Sequence, residues 1–100
     1  MAIKLSNIRR KLSIKDFRER EGKWYLRCGD HQICFWETYG GWAKMNIEVW
    51  YLEGDKKYLR DQEIISWKSN ATKYEIKERN RLMWYWINKF YKSYCYEKDV

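Results

Sequence analysis

The chain of 100 residues contains no proline, only five glycines and a single histidine. A composition of 45% hydrophobic and 19% aromatic residues excludes a disordered or low-complexity protein. It also lacks an apolar run long enough for a signal peptide or a membrane span, since residues 82–87 are followed at once by Asn88 and Lys89. We therefore expect one domain spanning residues 1–100, located in the cytoplasm and without a membrane partner.

Cysteine is scarce as well, and three cysteines are too few to form a disulfide framework. We expect all three to be reduced. Cys28, His31, Cys34 and Cys95 are the only set with zinc-type ligands. A hairpin turn at Gly29-Asp30 would place Cys28 and Cys34 on opposite faces, so we expect no metal and no cofactor.

The side chains needed for catalysis are also few. Any histidine-based dyad must use His31, and its nearest acid, Asp30, is better explained as a turn residue. No serine lies in a nucleophile-elbow context. Paired carboxylates would have to come from a set whose spacing suits a solvated sheet edge equally well, namely Glu48, Glu53, Asp55, Asp61 and Glu63. The sequence therefore predicts a protein that is not an enzyme.

Glycine-centred turns recur through the first two thirds of the chain and indicate a β-meander. We predict strands near 12–19, 23–28, 31–39, 42–53, 56–60 and 63–67. Each two-residue turn fixes a register, because cross-strand partners share a face. The predicted pairs include Leu26 with Ile33, Trp36 with Met45, and Tyr51 with Tyr58.

A helix is predicted to follow the strands. Thr72 and Glu75 have the spacing of a capping box, and apolar residues then recur on one helical face to about Tyr94. The predicted fold class is α+β, an antiparallel β-meander of five or six strands over about 12–67, packed by one long C-terminal α-helix over about 73–94. The predicted core contains Leu26, Ile33, Phe35, Ile47, Val49, Ile76, Met83, Ile87 and Phe90.

The net charge of +7 is distributed unevenly along the chain. Residues 1–27 carry nine basic and three acidic side chains, residues 28–67 carry four and seven, and residues 68–100 carry eight and four. The basic run Arg9, Arg10 and Lys11 supports nucleic-acid binding as one hypothesis. Acidic residues interrupt the basic segment, and a solvated charged surface is the more common meaning of such a mixture.

Aromatic residues are more numerous than one small core requires, with seven tryptophans and nine tyrosines. Tryptophan and tyrosine are enriched in the residues that dominate protein interfaces. We therefore predict a protein partner. A homodimer, or a sheet covered on both faces, would also account for these side chains.

The segment from Tyr58 to Trp67, followed by a helix carrying Glu75, Arg79 and Ile87, resembles the closing part of a family of small immunity proteins. These belong to bacterial polymorphic-toxin and contact-dependent growth inhibition systems. The resemblance covers residues 58–94. It implies a cytoplasmic toxin inhibitor that neutralises a cognate toxin by direct protein–protein interaction. A phage-encoded inhibitor of a host defence enzyme is the alternative.

The contact surface is predicted from charge complementarity. If the target has a basic active site, the acidic middle of the chain should bind it, with tryptophan as an apolar anchor. The predicted partner-binding residues are Glu48, Trp50, Asp55, Asp61, Glu63 and Trp67. If the target is acidic, the basic N-terminal segment should carry the contact.

Overall fold

A computed structural model describes residues 11–39, 42–68 and 71–96 and has the predicted α+β fold. Five strands form one antiparallel sheet in chain order: β1 (Arg18–Arg20), β2 (Lys23–Cys28), β3 (His31–Thr38), β4 (Trp42–Glu53) and β5 (Lys56–Lys68). Helix α1 (Lys73–Phe90) follows and continues as a π-helical segment, Tyr91–Tyr96. The predicted arrangement of a meander packed by a C-terminal helix is confirmed.

Two of the predicted hairpin registers are confirmed. Leu26 pairs with Ile33 across the first hairpin, and Tyr51 pairs with Tyr58 across the last. In the first turn Gly29 has φ of +61°, whereas Asp30 is not among the residues with positive φ. That combination matches a type II′ turn, in which only the first central residue needs the left-handed region.

The strand predicted near 12–19 is wrong for most of its length. Residues Ile14–Asp16 form a 3₁₀ turn, and only Arg18–Arg20 pair with β2. The backbone N–H of Ser13 donates a hydrogen bond of 2.8 Å to the Asp16 carboxylate, which offers this segment a local alternative to strand pairing. The segments predicted near 56–60 and 63–67 form one strand, β5, with a bulge opposite Val49 and Trp50.

The predicted register of β3 against β4 is also wrong, by one residue. Trp36 pairs with Asn46, and Met45 pairs with Glu37. A shift of one residue exchanges the two faces of a strand. The observed register buries Ala43, Met45, Ile47 and Val49 together, so the apolar pattern of β4 determines the pairing more strongly than the turn residues do. Gly40 and Gly41 themselves lie outside the described residues.

The core lies between α1 and one face of the sheet. Most of the predicted core is buried: Ile33, Phe35, Ile47, Val49, Met83, Ile87 and Phe90. Leu26 is half-buried and packs against this cluster. Ile76 is 38% exposed, so its assignment to the core is wrong. The first turns of α1 are exposed, and the side chain that reaches the sheet near them is Arg79, whose guanidinium lies 4.2 Å from the centroid of the Trp67 ring.

Both ends of α1 are held by hydrogen bonds. The predicted capping box is present: the N–H of Glu75 donates to the Thr72 hydroxyl at 3.2 Å, and the N–H of Thr72 donates to the Glu75 carboxylate at 3.3 Å. Near the other end, Asn88 accepts a hydrogen bond of 2.8 Å from the backbone N–H of Leu12. Within the described ranges, no helix is both long enough and apolar enough to cross a membrane.

Candidate functional site: the open face of the sheet

The sheet has two different faces. Helix α1 covers one, and no element among residues 11–39, 42–68 and 71–96 covers the other, which we call the open face. Because side chains alternate along a strand, the pairing registers assign its members. On β1, β2, β3 and the end of β4 its members include Arg18, Arg20, Lys23, Tyr25, Arg27, Gln32, Cys34, Trp36, Glu48 and Trp50.

Charge is sorted between the two faces. The strands place seven cations on the open face, namely Arg18, Arg20, Lys23, Arg27, Lys44, Lys57 and Lys68, and one carboxylate, that of Glu48. The carboxylates of Glu37, Asp61 and Glu63 alternate to the helix side. The open face is therefore strongly basic, although the middle of the sequence is acidic.

Two of these cations lie over tryptophan rings. The Lys23 ammonium is 4.5 Å from the centroid of the Trp36 ring, and the Lys57 ammonium is 4.8 Å from that of Trp50. A cation over an indole face is attracted by the ring's quadrupole. Both lysines are thus held against the sheet, which reduces the conformational entropy that binding would cost them.

A small polar cluster lies at the centre of the open face. The indole N–H of Trp50 donates a hydrogen bond of 2.9 Å to the Glu48 carboxylate, and the Cys34 sulfur lies 4.0 Å from the same oxygen. Cys34 is only 4% exposed. Burial, and then the Glu48 charge, raise the pKa of the Cys34 thiol to about 11, so this thiol is protonated at neutral pH.

Large apolar side chains are exposed on the far side of the open face. Trp42 on β4 is 53% exposed, and Leu59 and Ile64 on β5 are 44% and 45% exposed. The face therefore has two parts. The part on β1 and β2, which we call the basic half, contains Arg18, Arg20, Lys23 and Arg27. The part on β4 and β5, which we call the apolar half, contains Trp42, Leu59 and Ile64, and three lysines lie among them: Lys44, Lys57 and Lys68.

The structure does not bring the predicted partner-binding residues together on one surface. Glu48 and Trp50 lie on the open face, Asp55 lies in the turn between β4 and β5, and the others lie on the helix side: Asp61, Glu63 and Trp67. Asp61 accepts a hydrogen bond of 3.0 Å from the Tyr94 hydroxyl, and Trp67 packs under Arg79. Alternation along β5 separates residues that are neighbours in sequence.

Sequence reasoning missed the basic half of the open face. Arg18 and Arg20 lie within the basic residues 1–27, and the summed charge of that segment does not show that both lie on one face of a sheet. The signal that identifies them is the alternation in Arg18–Arg20 and Lys23–Cys28, where a cation recurs at every second residue apart from Tyr25. Once β1 pairs with β2, these cations become neighbours.

The residues predicted to contact nucleic acid are only partly described. Arg9 and Arg10 lie outside the described residues. Lys11 is exposed and borders a cleft whose other basic members come from α1 and the π-helical segment, with two aromatic walls. The lining residues that matter here are Arg81, Trp84, Tyr85, Lys89 and Lys92.

The cysteines and the histidine are placed on both sides of the sheet. Cys28 and Cys34 lie on opposite faces, as predicted. Cys28 and Cys95 form a disulfide, with 5.5 Å between their Cα atoms, so the expectation of three reduced thiols is wrong.

His31 is fully buried on the helix side, and its Nδ1 lies 2.8 Å from the Asp30 carboxylate. Where the structure describes the chain, no three His, Cys, Asp or Glu residues form a group able to hold a metal ion.

Comparisons of the chain with protein-family models, with curated proteins and with solved structures find no match.

Proposed function

We propose that this chain is a non-catalytic binding protein that neutralises a protein target by direct contact, as a small immunity protein neutralises its cognate toxin. The observation that carries the proposal is the open face, where exposed Leu59 is the cross-strand partner of half-buried Trp50, and where Trp42 and Ile64 are also exposed. Large exposed apolar side chains that share one face are typical of interaction surfaces.

The sheet is suited to blocking a target because its surface is rigid. Each internal strand is hydrogen-bonded on both sides, and α1 supports the sheet from behind. A rigid contact surface loses little conformational entropy when it binds. The same property would serve a phage-encoded inhibitor of a host defence enzyme, which differs only in its target.

The experiment is capture of the target from source cells, followed by an activity assay. The isolated target should lose its activity when an equimolar amount of this protein is added. Leu59→Ser/Ile64→Ser should weaken the complex by about tenfold or more, because it removes two large apolar contacts from the open face. Tyr74→Ser/Leu82→Ser, which changes exposed apolar residues of α1, is the matched control and should bind normally.

The proposal fails if no protein is retained. It also fails if the retained protein keeps its full activity in the complex, because binding without neutralisation is a different function.

Nucleic-acid binding is the second candidate, and the cleft bordered by Lys11 supports it. Lys89 lies 4.7 Å from the centroid of Trp86 and 6.0 Å from that of Tyr85, so cations and aromatic rings occur together on this side of α1. Binding of single-stranded DNA should weaken steeply with salt, and Lys11→Ala together with changes at Arg9 and Arg10 should flatten that slope. A gel-shift series without binding at low salt would exclude this candidate.

A further inference from the structure

The two halves of the open face differ in composition. The basic half on β1 and β2 offers guanidinium and ammonium groups, whereas the apolar half on β4 and β5 offers exposed Trp42, Leu59 and Ile64 among three lysines, Lys44, Lys57 and Lys68. Building on the proposed function, we propose that the partner is an acidic protein surface whose carboxylates meet the basic half and whose apolar side chains meet the apolar half.

The arginines of β1 are placed to bind carboxylates. Arg18 and Arg20 are exposed and lie two residues apart on the same face, which separates their Cα atoms by about 7 Å. Each guanidinium can form two parallel hydrogen bonds with one carboxylate. Two carboxylates at a similar spacing on the partner would therefore be held in a defined register.

The apolar half favours protein over nucleic acid. Two of its three exposed apolar side chains, those of Leu59 and Ile64, have no polar group for phosphate and no ring for a base, so that Trp42 alone offers an exposed ring there. Trp36 and Trp50 already carry lysine ammonium groups over one ring face, where a base would stack. The Glu48 carboxylate at the centre would repel a phosphate backbone that crosses the sheet.

A second copy of this chain is a poor occupant of the same face. Two open faces brought together would juxtapose seven cations from each copy against a single carboxylate from each. Like charges placed opposite each other at an interface are destabilising. The charge of the open face therefore favours a different protein with the opposite sign.

The inference is tested with defined probes by fluorescence anisotropy. The first probe is a labelled amphipathic peptide of alternating Glu and Leu pairs, the second is a peptide of Glu alone with the same charge, and the third is an oligothymidylate of equal charge. The amphipathic acidic peptide should bind about tenfold more tightly than the all-Glu peptide, since only it can use both halves of the face.

Variants separate the two halves. Arg18→Glu/Arg20→Glu should weaken both peptides by about tenfold, with a reduced dependence on salt. Leu59→Ser/Ile64→Ser should weaken the amphipathic peptide alone. Lys73→Glu/Lys77→Glu makes the same change of charge on the exposed side of α1 and should alter binding by less than about twofold. Circular dichroism of each variant confirms that it is folded.

Two results would overturn the inference. One is tighter binding of the oligothymidylate through the same residues, which would identify the open face as a nucleic-acid site. The other is equal weakening of peptide binding by the α1 control, which would show that the interaction depends only on the net charge of the protein. Neither result bears on whether a captured protein loses its activity in the complex. Failure of this inference is therefore distinct from failure of the proposed function.

Discussion

The Tyr94 hydroxyl donates a hydrogen bond of 3.0 Å to the Asp61 carboxylate, which joins the π-helical segment to β5. The Asp61 carboxylate therefore has a structural role, because it holds these two elements together. Tyr94→Phe should lower the free energy of unfolding by about 1 kcal/mol, the usual net value of one such bond. Urea denaturation measures the change, and Tyr85→Phe, at an exposed position on α1, is the control.

The same hydrogen bond predicts a pH dependence. Burial and then the contact with Asp61 raise the pKa of Tyr94 above its ordinary value of 10.0. A group whose folded-state pKa is raised contributes stability that is complete below the unfolded value and is lost as pH rises through the folded value. Stability should therefore decline above about pH 10 less steeply in Tyr94→Phe than in the parent protein. Identical pH profiles would contradict this.

The docking of α1 predicts unequal effects of two substitutions in one helix. Ile87 is fully buried, whereas Ile76 is 38% exposed. Ile87→Ala should lower the free energy of unfolding by about 3 kcal/mol, because it leaves a cavity between helix and sheet. Ile76→Ala should cost less than about 1 kcal/mol. Equal losses, measured by chemical denaturation, would show that the first turns of α1 also pack on the sheet.

The disulfide between Cys28 and Cys95 predicts a redox-dependent stability. The two residues are 67 apart in sequence, and loop-closure entropy for that separation gives a stabilisation of about 4 kcal/mol. Thermal unfolding with and without reductant should show the difference, and Cys95→Ser should behave like the reduced protein under both conditions. If reductant changes nothing, the two cysteines are thiols in solution.

The remaining cysteine predicts an unreactive thiol. With a pKa of about 11, only about one Cys34 in a thousand is a thiolate at pH 8. Labelling by iodoacetamide should be slow in the native protein and fast in denaturant. Glu48→Gln removes a charge that raises this pKa and should speed the native reaction. Rapid labelling of the parent protein would show that the side chains that bury Cys34 move away from it readily.

Local patterns in the sequence were sufficient for most of the fold. The two hairpins at Gly29 and Gly54 and the helix start at Thr72 follow from residues within a few positions of one another. The pairing of Trp36 with Asn46 could not be read in that way, because there the burial of β4 against α1 outweighs the turn residues. Disulfide formation by Cys95 depends on where the end of the helix meets β2, which no local pattern specifies.

The candidate site was harder to predict than the fold. Charge was summed along segments of the chain, but a strand distributes neighbouring residues to opposite sides of the sheet. Asp61 and Gln62 are adjacent in sequence, yet the first faces α1 and the second faces away from it. To find a basic face, the charges of alternate residues must be summed across paired strands. That sum requires the correct register of each pair of strands.

The meander has a consequence for how the protein is made. Every pair of neighbouring strands is also adjacent in sequence, so each hairpin can form as soon as its second strand has left the ribosome. The side of the sheet that holds Ile33, Ile47 and Val49 lacks its main cover until α1 has been synthesised. At ordinary rates of translation that interval is on the order of seconds. During it the nascent chain exposes apolar surface on both sides of the sheet, and aggregation competes most strongly with folding at that stage.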